Sequence, residues 1–377
     1  MANSLEAELD RRAYCLFGIL VDEISMSEVV AMVTGARGLY RTLISTANVN
    51  FLVNSQFDPH FRETLRTSDL CTVDGAALAW LARRVRIPIR ERVAGSDLFD
   101  ALVARPAGAD PLRVFFFGGD AGVAEEAARS LAREGIGVTC VGFLDPGRGS
   151  VEELSGQDVI ETINASGADF LVVALGAVKG QSWLARNAER IAVPLRSHLG
   201  AVLAFRAGRV RRAPPSWRLR GVEWLWRIKE EPRLWKRYAW DGLCLSGIVA
   251  FRLAPLALLD VIAPPRGRGI ALRGSSLDEG RCRLALEGDA RLGGVEALLV
   301  TLKNTLVHAT SLEIDLAHVR CLDARTVGLL FVIRNAMRAR GGSMTLAGLR
   351  PLARLSLSLH GASDLADGTV AGTEKVS

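Results

Sequence analysis

The sequence predicts an α/β fold: a Rossmann-like, mostly parallel sheet covered by helices, a basic helical appendage, and a smaller α/β domain. Three observations support this prediction. Short apolar runs alternate with helix-like stretches from Tyr14 to about Phe205. A basic segment rich in Trp follows, and a second strand–helix alternation then occupies residues 279–368.

The apolar runs of the first part predict seven strands. They are YCLFGILV, LISTANV, CTVDG, RVFFFGG, GVTCVGF, FLVVALG and VPLRSHLG. Strands separated by helices imply βαβ crossovers and a parallel sheet. Ligands of such sheets bind outside the carboxyl ends of the strands, where polar and glycine residues become candidates. These candidates are Thr46, Asn48, Asp74, Gly118, Gly119 and Gly176.

The domain plan follows from shifts in composition. A turn-rich stretch, APPRGRG, marks a linker. Beyond it the strands CRLALEG, SLEIDLA and SMTLAGL alternate with helices. The predicted segments are an α/β core at 1–205, an appendage with a membrane-contacting segment at 206–262, a linker at 263–278, a small α/β domain at 279–368, and a disordered tail at 369–377.

Composition excludes several classes of protein. The six Cys of the 377 residues form no CxxC pair and no Cys/His cluster, which argues against structural zinc and a disulfide framework and fits a reducing cytosol. The five His are scattered, which favours surface or core positions. The polar N-terminus MANSLEAELDRRAY is neither a secretory signal nor a mitochondrial presequence.

The segment from Arg206 to Trp240 is strongly basic and rich in Trp. It holds eleven Lys/Arg, three Glu and five of the seven Trp, a net charge of 11 − 3 = +8 in a chain of net +6. Such a segment predicts phosphate-bearing partners, and Trp suits a membrane–water boundary. A solvated helix face and a nucleic-acid patch are the alternatives.

The apolar stretch from Leu243 to Ile262 is long enough to cross a bilayer. Arg252 lies at its centre, Pro255 follows, and Asp260 lies near its end. A central Arg costs roughly 2.5–3.5 kcal/mol on the insertion scale, so an in-plane or re-entrant element is predicted rather than a span. The alternative is a helix that docks on its own domain.

Two motifs suggest chemistry. Asp74, in TVDGAALAW, can act as general base on an acceptor hydroxyl, or it can simply cap the next helix. The glycine turn of RVFFFGGDAG offers backbone N–H groups to a diphosphate. The chain has no full GxGxxG motif, no P-loop and no DxD motif, so a leaving diphosphate must be neutralised by Arg side chains and helix ends.

The chain from Tyr14 to Tyr238 resembles the WecG/TagA/CpsF family of bacterial glycosyltransferases, family 26. The matching blocks are TANVNFLVNS, DLCTVDGAALAW, RERVAGSDLFDAL, FFFGGDAGVAEEAA, ADFLVVALGAVKGQSWL and GRVRRAPPSWRLRGVEWLWRIKEEPRLWKRY. The resemblance implies an inverting, metal-independent transfer from a UDP-sugar to a polyprenyl-diphosphate-linked saccharide at the cytoplasmic membrane face. It implies no cofactor and no metal.

The resemblance also assigns residues. Asp74 matches the proposed catalytic base, Thr46 and Asn48 match pocket residues, and Arg92 matches an active-site arginine. Nucleotide-sugar or diphosphate binding is assigned to Gly118, Gly119, Gly176, Gln181, Arg227, Arg233 and Arg237. The apolar tail beside these arginines is expected to meet the membrane. We expect Trp224, Trp226 and Trp235 to pack and to anchor this interface, with core packing the stronger alternative for Trp224.

The sequence departs from the family at three blocks. Gly180 stands where the family usually has Gln, and Gln181 follows it. The usual GAAFD reads GAVLA and loses an acidic residue, and EPRLWKRY lacks a common extra Arg. A one-residue deletion in a helix rotates everything after it by about 100°. These changes leave the donor sugar open.

The last domain resembles a STAS domain, the anti-sigma-antagonist-like fold, through LEIDLAHVRCLDARTVGLLFVIRNAMRARGGSMTLAGL. In signalling members a Ser directly after the loop Asp is phosphorylated. Here Ala324 follows Asp323, so a phospho-switch of that kind is not expected, and Thr326 is a weak substitute. The domain is expected to bind a protein partner or dimerise, or else to stabilise the chain passively.

The resulting interpretation is a glycosyltransferase of exopolysaccharide or cell-surface polysaccharide biosynthesis, cytoplasmic and peripherally attached to the inner membrane. The alternative is a catalytically decayed transferase that recruits partners through the STAS-like end. Nucleic-acid binding through the basic segment is a second rival, and no nucleic-acid partner is expected.

Overall fold

The computed structural model describes residues 8–35, 41–106, 110–134, 137–306 and 309–367. The predicted disordered tail lies outside these residues. The chain divides into two compact units. The core unit comprises Ile24–Leu81 and Pro88–Leu245, and the C-terminal unit comprises the chain up to Glu23, Ala82–Ile87 and the chain from Ser246 onward.

The first predicted strand, YCLFGILV, is instead a hairpin. Strands β1 (Ala13–Leu16) and β2 (Ile19–Asp22) pair antiparallel around a two-residue turn. Both turn residues have positive φ, 48° at Phe17 and 101° at Gly18, as tight hairpin turns require. The continuous apolar run therefore reflects two buried strands. The hairpin also belongs to the C-terminal unit, not to the α/β core where it was predicted.

The core unit contains the predicted parallel sheet, and its six other predicted strands are confirmed. All neighbouring strands pair parallel, in the order β4-β3-β8-β7-β5-β6. Their bounds are β3 Thr42–Ala47, β4 Leu70–Val73, β5 Leu112–Gly118, β6 Val138–Leu144, β7 Phe170–Ala174 and β8 Leu195–His198. Successive side chains of β5 enter two different cores, Phe116 on one face and Phe115 and Phe117 on the other. Helices on both faces explain why these strands are apolar throughout.

Helices follow the strands and cover the sheet. Helices α2 and α3 begin at side-chain caps, since Asn48 accepts from Phe51 N at 3.1 Å and Asp58 accepts from Phe61 N at 2.9 Å. The helices are α1 Met26–Gly35, α2 Val49–Phe57, α3 Pro59–Arg66, α4 Ala76–Arg84, α5 Gly95–Val103, α6 Val123–Glu134, α7 Gln157–Ala165, α8 Ala177–Arg186 and α9 Gly200–Arg206.

The basic segment forms helices α10 (Pro215–Leu219), α11 (Glu223–Glu230) and α12 (Trp235–Ile248). A π-helical turn, Val249–Leu253, leads directly into α13 (Ala254–Ile262). Pro255 has no N–H and its ring crowds the preceding turn, and a wider turn accommodates this. By length and composition alone, Pro232–Ile262 is long and apolar enough to cross a membrane, one such helix among the described residues.

Helix α13 docks on its own unit by one face. Leu259 and Ala263 pack with the buried Cys321. Asp260 accepts from Arg86 at 2.9 Å and from Arg291 at 3.0 Å. On this face the segment is therefore a helix that docks on its own unit, which was the alternative to an in-plane or re-entrant membrane element.

The opposite face of this helical segment is exposed. Phe251 is 79 % exposed, and Leu258, Val261 and Ile262 are also well exposed. Their spacing of seven, three and one residues places them on one side of the helix. These four residues are called the apolar face below.

The C-terminal unit contains a four-stranded sheet in the order β12-β11-β10-β9, with three helices around it in the described chain. Strand β9 pairs antiparallel with β10, and the other pairs are parallel. The elements are β9 Ala271–Asp278, β10 Arg281–Gly288, α14 Val295–Leu306, β11 Ser311–Val319, α15 Ala324–Ala339, β12 Ser343–Ala347 and α16 Pro351–Leu359. The predicted linker 263–278 is wrong where β9 lies. This edge strand is mostly exposed, so it lacks the apolar alternation by which strands are recognised.

The N-terminal hairpin completes the core of this unit. A Cβ placed on Gly328 of α15 would lie 2.4 Å from the Ala13 carbonyl oxygen. Arg325 donates to the carbonyls of Ala13 at 3.1 Å and Arg11 at 3.3 Å. Nearly every residue of α15 is consequently buried.

Candidate active site

The carboxyl edge of the core sheet brings together the polar and glycine residues that the sequence indicated. In the order of the strands across the sheet they are Asp74 after β4, Thr46 and Asn48 at β3, Gly176 after β7, and Gly118 with Gly119 at β5. His198, which the sequence did not indicate, ends β8 between β3 and β7. The Asp74 N–H donates to the Ala47 carbonyl at 2.7 Å, which ties the end of β4 to β3. This edge is where open parallel sheets bind ligands.

The Asp74 carboxyl titrates near neutrality. Burial is the largest cause and raises its pKa to about 7, opposed by Arg92 and Arg212, while Glu223 and Asp97 raise it further. Part of the residue remains accessible to solvent. No described backbone N–H donates to the carboxylate, so the helix-cap interpretation is not supported. Asp74 therefore has the properties of a general base that works near pH 7.

Arginines and carboxylates surround Asp74. Arg92 bonds to Glu223 and to Asp97, each at 3.2 Å. Asp97 also accepts from Arg218 at 3.1 Å and from Arg212. The Nε–H groups of Arg212 and Arg218 are buried and have no partner in the described chain. Three guanidinium groups thus share one carboxylate, and two of them hold an unused donor.

Only one of the three arginines assigned to the diphosphate lies next to this group. The Arg227 guanidinium lies over the Phe205 ring, 5.3 Å from its centroid, and that of Arg212 lies over the same ring at 5.9 Å. Arg227 also bonds to Glu231 at 2.9 Å, and its Nη1 is buried without a partner among the described residues.

The other two appendage arginines have different surroundings. Arg233 is 82 % exposed and bonds to Glu231 at 3.4 Å. Arg237 lies over the ring of Tyr238, 4.8 Å from its centroid. Neither contact reaches Asp74. Arg212 and Arg218, which the sequence interpretation missed, take their place, and the motif RRAPPSWR that carries them was visible in the sequence.

The appendage tryptophans are less buried than a core prediction implies. Trp224 and Trp235 are about half exposed. Trp226 donates to the Arg211 carbonyl at 3.0 Å and packs edge-on against Trp217. Core packing of Trp224 is therefore not supported.

Thr46 and Asn48 lie at the end of β3. Thr46 is buried, and a Cβ on Gly95 would lie 3.1 Å from its Oγ1. Asn48 uses its side-chain oxygen to cap α2. The pocket roles of both residues remain predictions.

The glycines at β5 and β7 adopt backbone conformations that other residues avoid. Gly118 and Gly119 have φ of 96° and 95°, and Gly176 has φ of 85°. A Cβ on Gly118 would lie 2.7 Å from the Ala174 carbonyl oxygen, to which Gly119 N–H donates at 2.8 Å. The loop is therefore compact and presents main chain to the edge.

Gly180 and Gln181 lie in helix α8, and Gly180 is close to His198. Gln181, assigned above to the nucleotide-sugar site, is fully buried and donates to Ser45 Oγ, so the structure gives it a packing role instead. A Cβ on Gly180 would lie 2.1 Å from the imidazole of His198. His198 itself was missed, because a single His in an apolar strand is most often a core residue.

No group of three or more His, Cys, Asp or Glu residues that could hold a metal ion occurs in the described ranges.

Comparison with known proteins identifies two segments. Residues 14–255 match the glycosyl transferase WecG/TagA/CpsF family, and residues 273–367 match a STAS domain described as "Mlab, STAS domain". A Bacillus spizizenii protein named N-acetylglucosaminyldiphosphoundecaprenol N-acetyl-beta-D-mannosaminyltransferase is 27 % identical over 194 residues, which cover 52 % of this chain and 73 % of that protein. The first segment contains every edge residue described above.

Proposed function

The chain belongs to the WecG/TagA/CpsF family of glycosyltransferases, and from that premise we propose that it transfers a sugar from a UDP-sugar to a polyprenyl-diphosphate-linked saccharide, with inversion and without a metal ion. The name of the Bacillus relative describes N-acetylmannosaminyl transfer onto an undecaprenyl-diphosphate-linked N-acetylglucosamine. The observation that carries the proposal is Asp74, a carboxyl with a pKa of about 7 at the ligand edge.

The reaction is a direct displacement at the anomeric carbon. The Asp74 carboxylate takes the proton of an acceptor hydroxyl as its oxygen forms the new glycosidic bond. The bond from the anomeric carbon to the diphosphate breaks, and UDP leaves with the electron pair. A base whose pKa is close to the working pH combines a large ionised fraction with useful basicity.

Arginines stabilise the departing diphosphate. Arg92, Arg212 and Arg218 converge on Asp97, and Arg212 and Arg218 each hold a buried N–H without a partner in the described structure. A diphosphate oxygen can take these donors without breaking the pairs to Asp97. Preorganised donors of this kind commonly contribute several kcal/mol to leaving-group stabilisation.

The chain docks peripherally on the cytoplasmic face of the inner membrane. The apolar face and the basic appendage that precedes it support this, since apolar side chains enter the headgroup boundary and cations attract anionic lipids. The docked face of α13, held by Asp260, argues against a span, because a crossing helix would have to leave these ion pairs.

The STAS domain serves a protein partner or self-association rather than a phospho-switch. Ala324 occupies the position of the usual phosphoacceptor. Asp323 caps α15 by accepting from Thr326 N at 2.9 Å, and the Thr326 side chain is buried. Neither position offers an accessible hydroxyl to a kinase.

The test is release of UDP from a panel of UDP-sugars in the presence of polyprenyl-diphosphate-linked saccharides, with mass spectrometry of the lipid product. Glycosylated lipid and stoichiometric UDP are expected from the wild-type chain, and neither from Asp74→Asn. UDP-sugar binding without any transfer would favour the alternative of a decayed scaffold. Steeply salt-dependent binding of DNA or RNA, unaffected by anionic vesicles, would favour the nucleic-acid alternative.

A further inference from the structure

The middle of the ligand edge contains a buried histidine with unused hydrogen-bonding groups. His198 ends β8, and β8 lies between β3, which carries Thr46, and β7, which leads to Gly176. Only 8 % of the residue is exposed. Its Nε2 is buried and has no hydrogen-bond partner in the described chain. An unmade hydrogen bond of a buried polar group is costly, so such a group in a native fold calls for a ligand or another compensating role.

Two glycines in the backbone around the imidazole leave space for the ring. A Cβ on Gly180 would lie 2.1 Å from Cδ2 and 3.0 Å from Nε2 of His198, and a Cβ on Gly200 would lie 3.2 Å from Nε2. Glycine at position 180 is therefore a condition for this side chain, and glycine at position 200 avoids a second, tight contact with it. The ring is also 6.3 Å from that of Phe51, in the first turn of α2. His198 is thus surrounded by the first turns of α2, α8 and α9.

This arrangement accounts for the departure from the family at Gly180. The family usually carries Gln at that position, and here the space over Gly180 is filled from the neighbouring strand by an imidazole. We propose that His198 recognises the sugar ring of the donor, supplying a polar group from the end of β8, over Gly180. The inference rests on the proposed function and names a specificity residue within it.

The order of the strands indicates which part of the donor His198 meets. Asp74 follows β4, at one side of the edge, and the glycine loop follows β5, toward the other. Strands lie about 4.8 Å apart, so β8 is roughly 10 Å from β4 and roughly 10 Å from β5. In the proposed function the reacting anomeric carbon lies by Asp74 and the diphosphate bonded to it lies by the arginines that meet Asp97. The sugar ring extends from the anomeric carbon away from the diphosphate, and we assign its hydroxyl or acetamido groups to the middle of the edge.

The protonation state fits recognition of an uncharged group. Burial lowers the pKa of His198 to about 4, so the ring is neutral at pH 7. A neutral imidazole offers one N–H donor and one acceptor, which suits a sugar hydroxyl or an amide.

The experiment compares the affinities of UDP and of UDP-sugars, including UDP-N-acetylmannosamine and UDP-glucose, by calorimetry. His198→Leu replaces the imidazole with an apolar side chain, and His198→Asn keeps a donor and an acceptor. His60→Leu, at an exposed position, is the matched control. Melting temperatures report whether each variant folds.

His198→Leu is expected to bind UDP like the wild type but to lose about three- to tenfold of its affinity for the preferred UDP-sugar, as for one lost hydrogen bond. His198→Asn should keep most of the preference. Gly180→Gln alone should lower the melting temperature, because its Cβ overlaps the imidazole, and Gly180→Gln with His198→Gly should fold and bind UDP-sugar again.

Four outcomes overturn the inference. Equal losses of UDP and UDP-sugar affinity in His198→Leu would show a packing role only, and so would an unchanged preference among sugars. If His198→Leu does not fold, the double variant decides: a folded double variant without sugar preference also refutes the idea. A wild-type chain that binds no UDP-sugar at all would refute the proposed function itself, and the inference with it.

Discussion

Replacing Asp74 with Asn should make the protein inactive and, above neutral pH, more stable. The folded-state pKa of Asp74 is raised from 3.8 to about 7. A raised carboxyl pKa means that ionisation opposes folding. The stability that the protonated Asp74 carboxyl contributes to the folded state is fully present below pH 3.8 and is lost as the pH rises through 7. Asn imitates the protonated carboxyl and does not titrate.

The size of the expected stability change follows from the pKa shift of Asp74. From 3.8 to about 7 is about 3 pH units, and at 1.36 kcal/mol per unit this is about 4 kcal/mol at pH 8.5. Part of the side chain remains accessible to solvent, so we expect about half of this limit, ~2 kcal/mol. At pH 4.5 Asp74 is largely ionised in the unfolded chain and protonated in the folded one, but this pH is less than one unit above 3.8, so the same calculation gives at most ~1 kcal/mol.

The assay is thermal unfolding of both proteins at pH 4.5 and 8.5, with UDP release measured on the same samples. The Asn variant should melt several degrees higher at pH 8.5, with a smaller gain at pH 4.5, and release no UDP. Asp120→Asn makes the same chemical change at an exposed position near the edge and should show neither effect. A variant no more stable than the wild type at pH 8.5 would refute the burial argument, and retained turnover would refute the role as base.

Three further predictions concern other parts of the chain. Arg212→Lys keeps the charge but loses the planar fork, so UDP release should fall about tenfold or more, whereas Arg233→Lys should stay within about twofold; equal effects in a steady-state assay would contradict the assignment. Gly328→Ala places a Cβ 2.4 Å from a backbone oxygen and should cost about 1–3 kcal/mol in thermal unfolding, while Gly247→Ala, with nothing within 4 Å, should cost nothing. Phe251→Ser should weaken cosedimentation with anionic vesicles at least severalfold without changing the melting temperature, and unchanged cosedimentation would exclude the apolar face as a membrane contact.

The sheet was predictable because its strands are buried on both faces, and such strands are continuous apolar runs bounded by turns. The same rule misread the hairpin, since YCLFGILV is also a continuous apolar run. The turn within it requires a positive φ at Phe17, which no local preference of Phe announces. Strand β9 was missed for the opposite reason: it is an exposed edge, and its pairing with β10 is what makes it a strand.

Some residues of the candidate site were predictable from the sequence and others were not. Asp74 and the glycines were predictable because strand ends are marked in the sequence, and a parallel sheet gathers its carboxyl ends at one edge. The arginine partners were not, because a count of charges says nothing about which guanidinium meets Asp97. His198 shows the same limit, since only the fold reveals that Gly180 lies against its ring.

The hairpin has a consequence for biosynthesis. Arg325 bonds to a carbonyl 312 positions earlier in the chain. At a translation rate of about 5–20 residues per second, the first residues wait roughly 15–60 s for the helix that covers them. During that time two short apolar strands are available to chaperones or to neighbouring nascent chains. A recombinant version of the C-terminal unit will accordingly need the opening residues attached, for example by circular permutation.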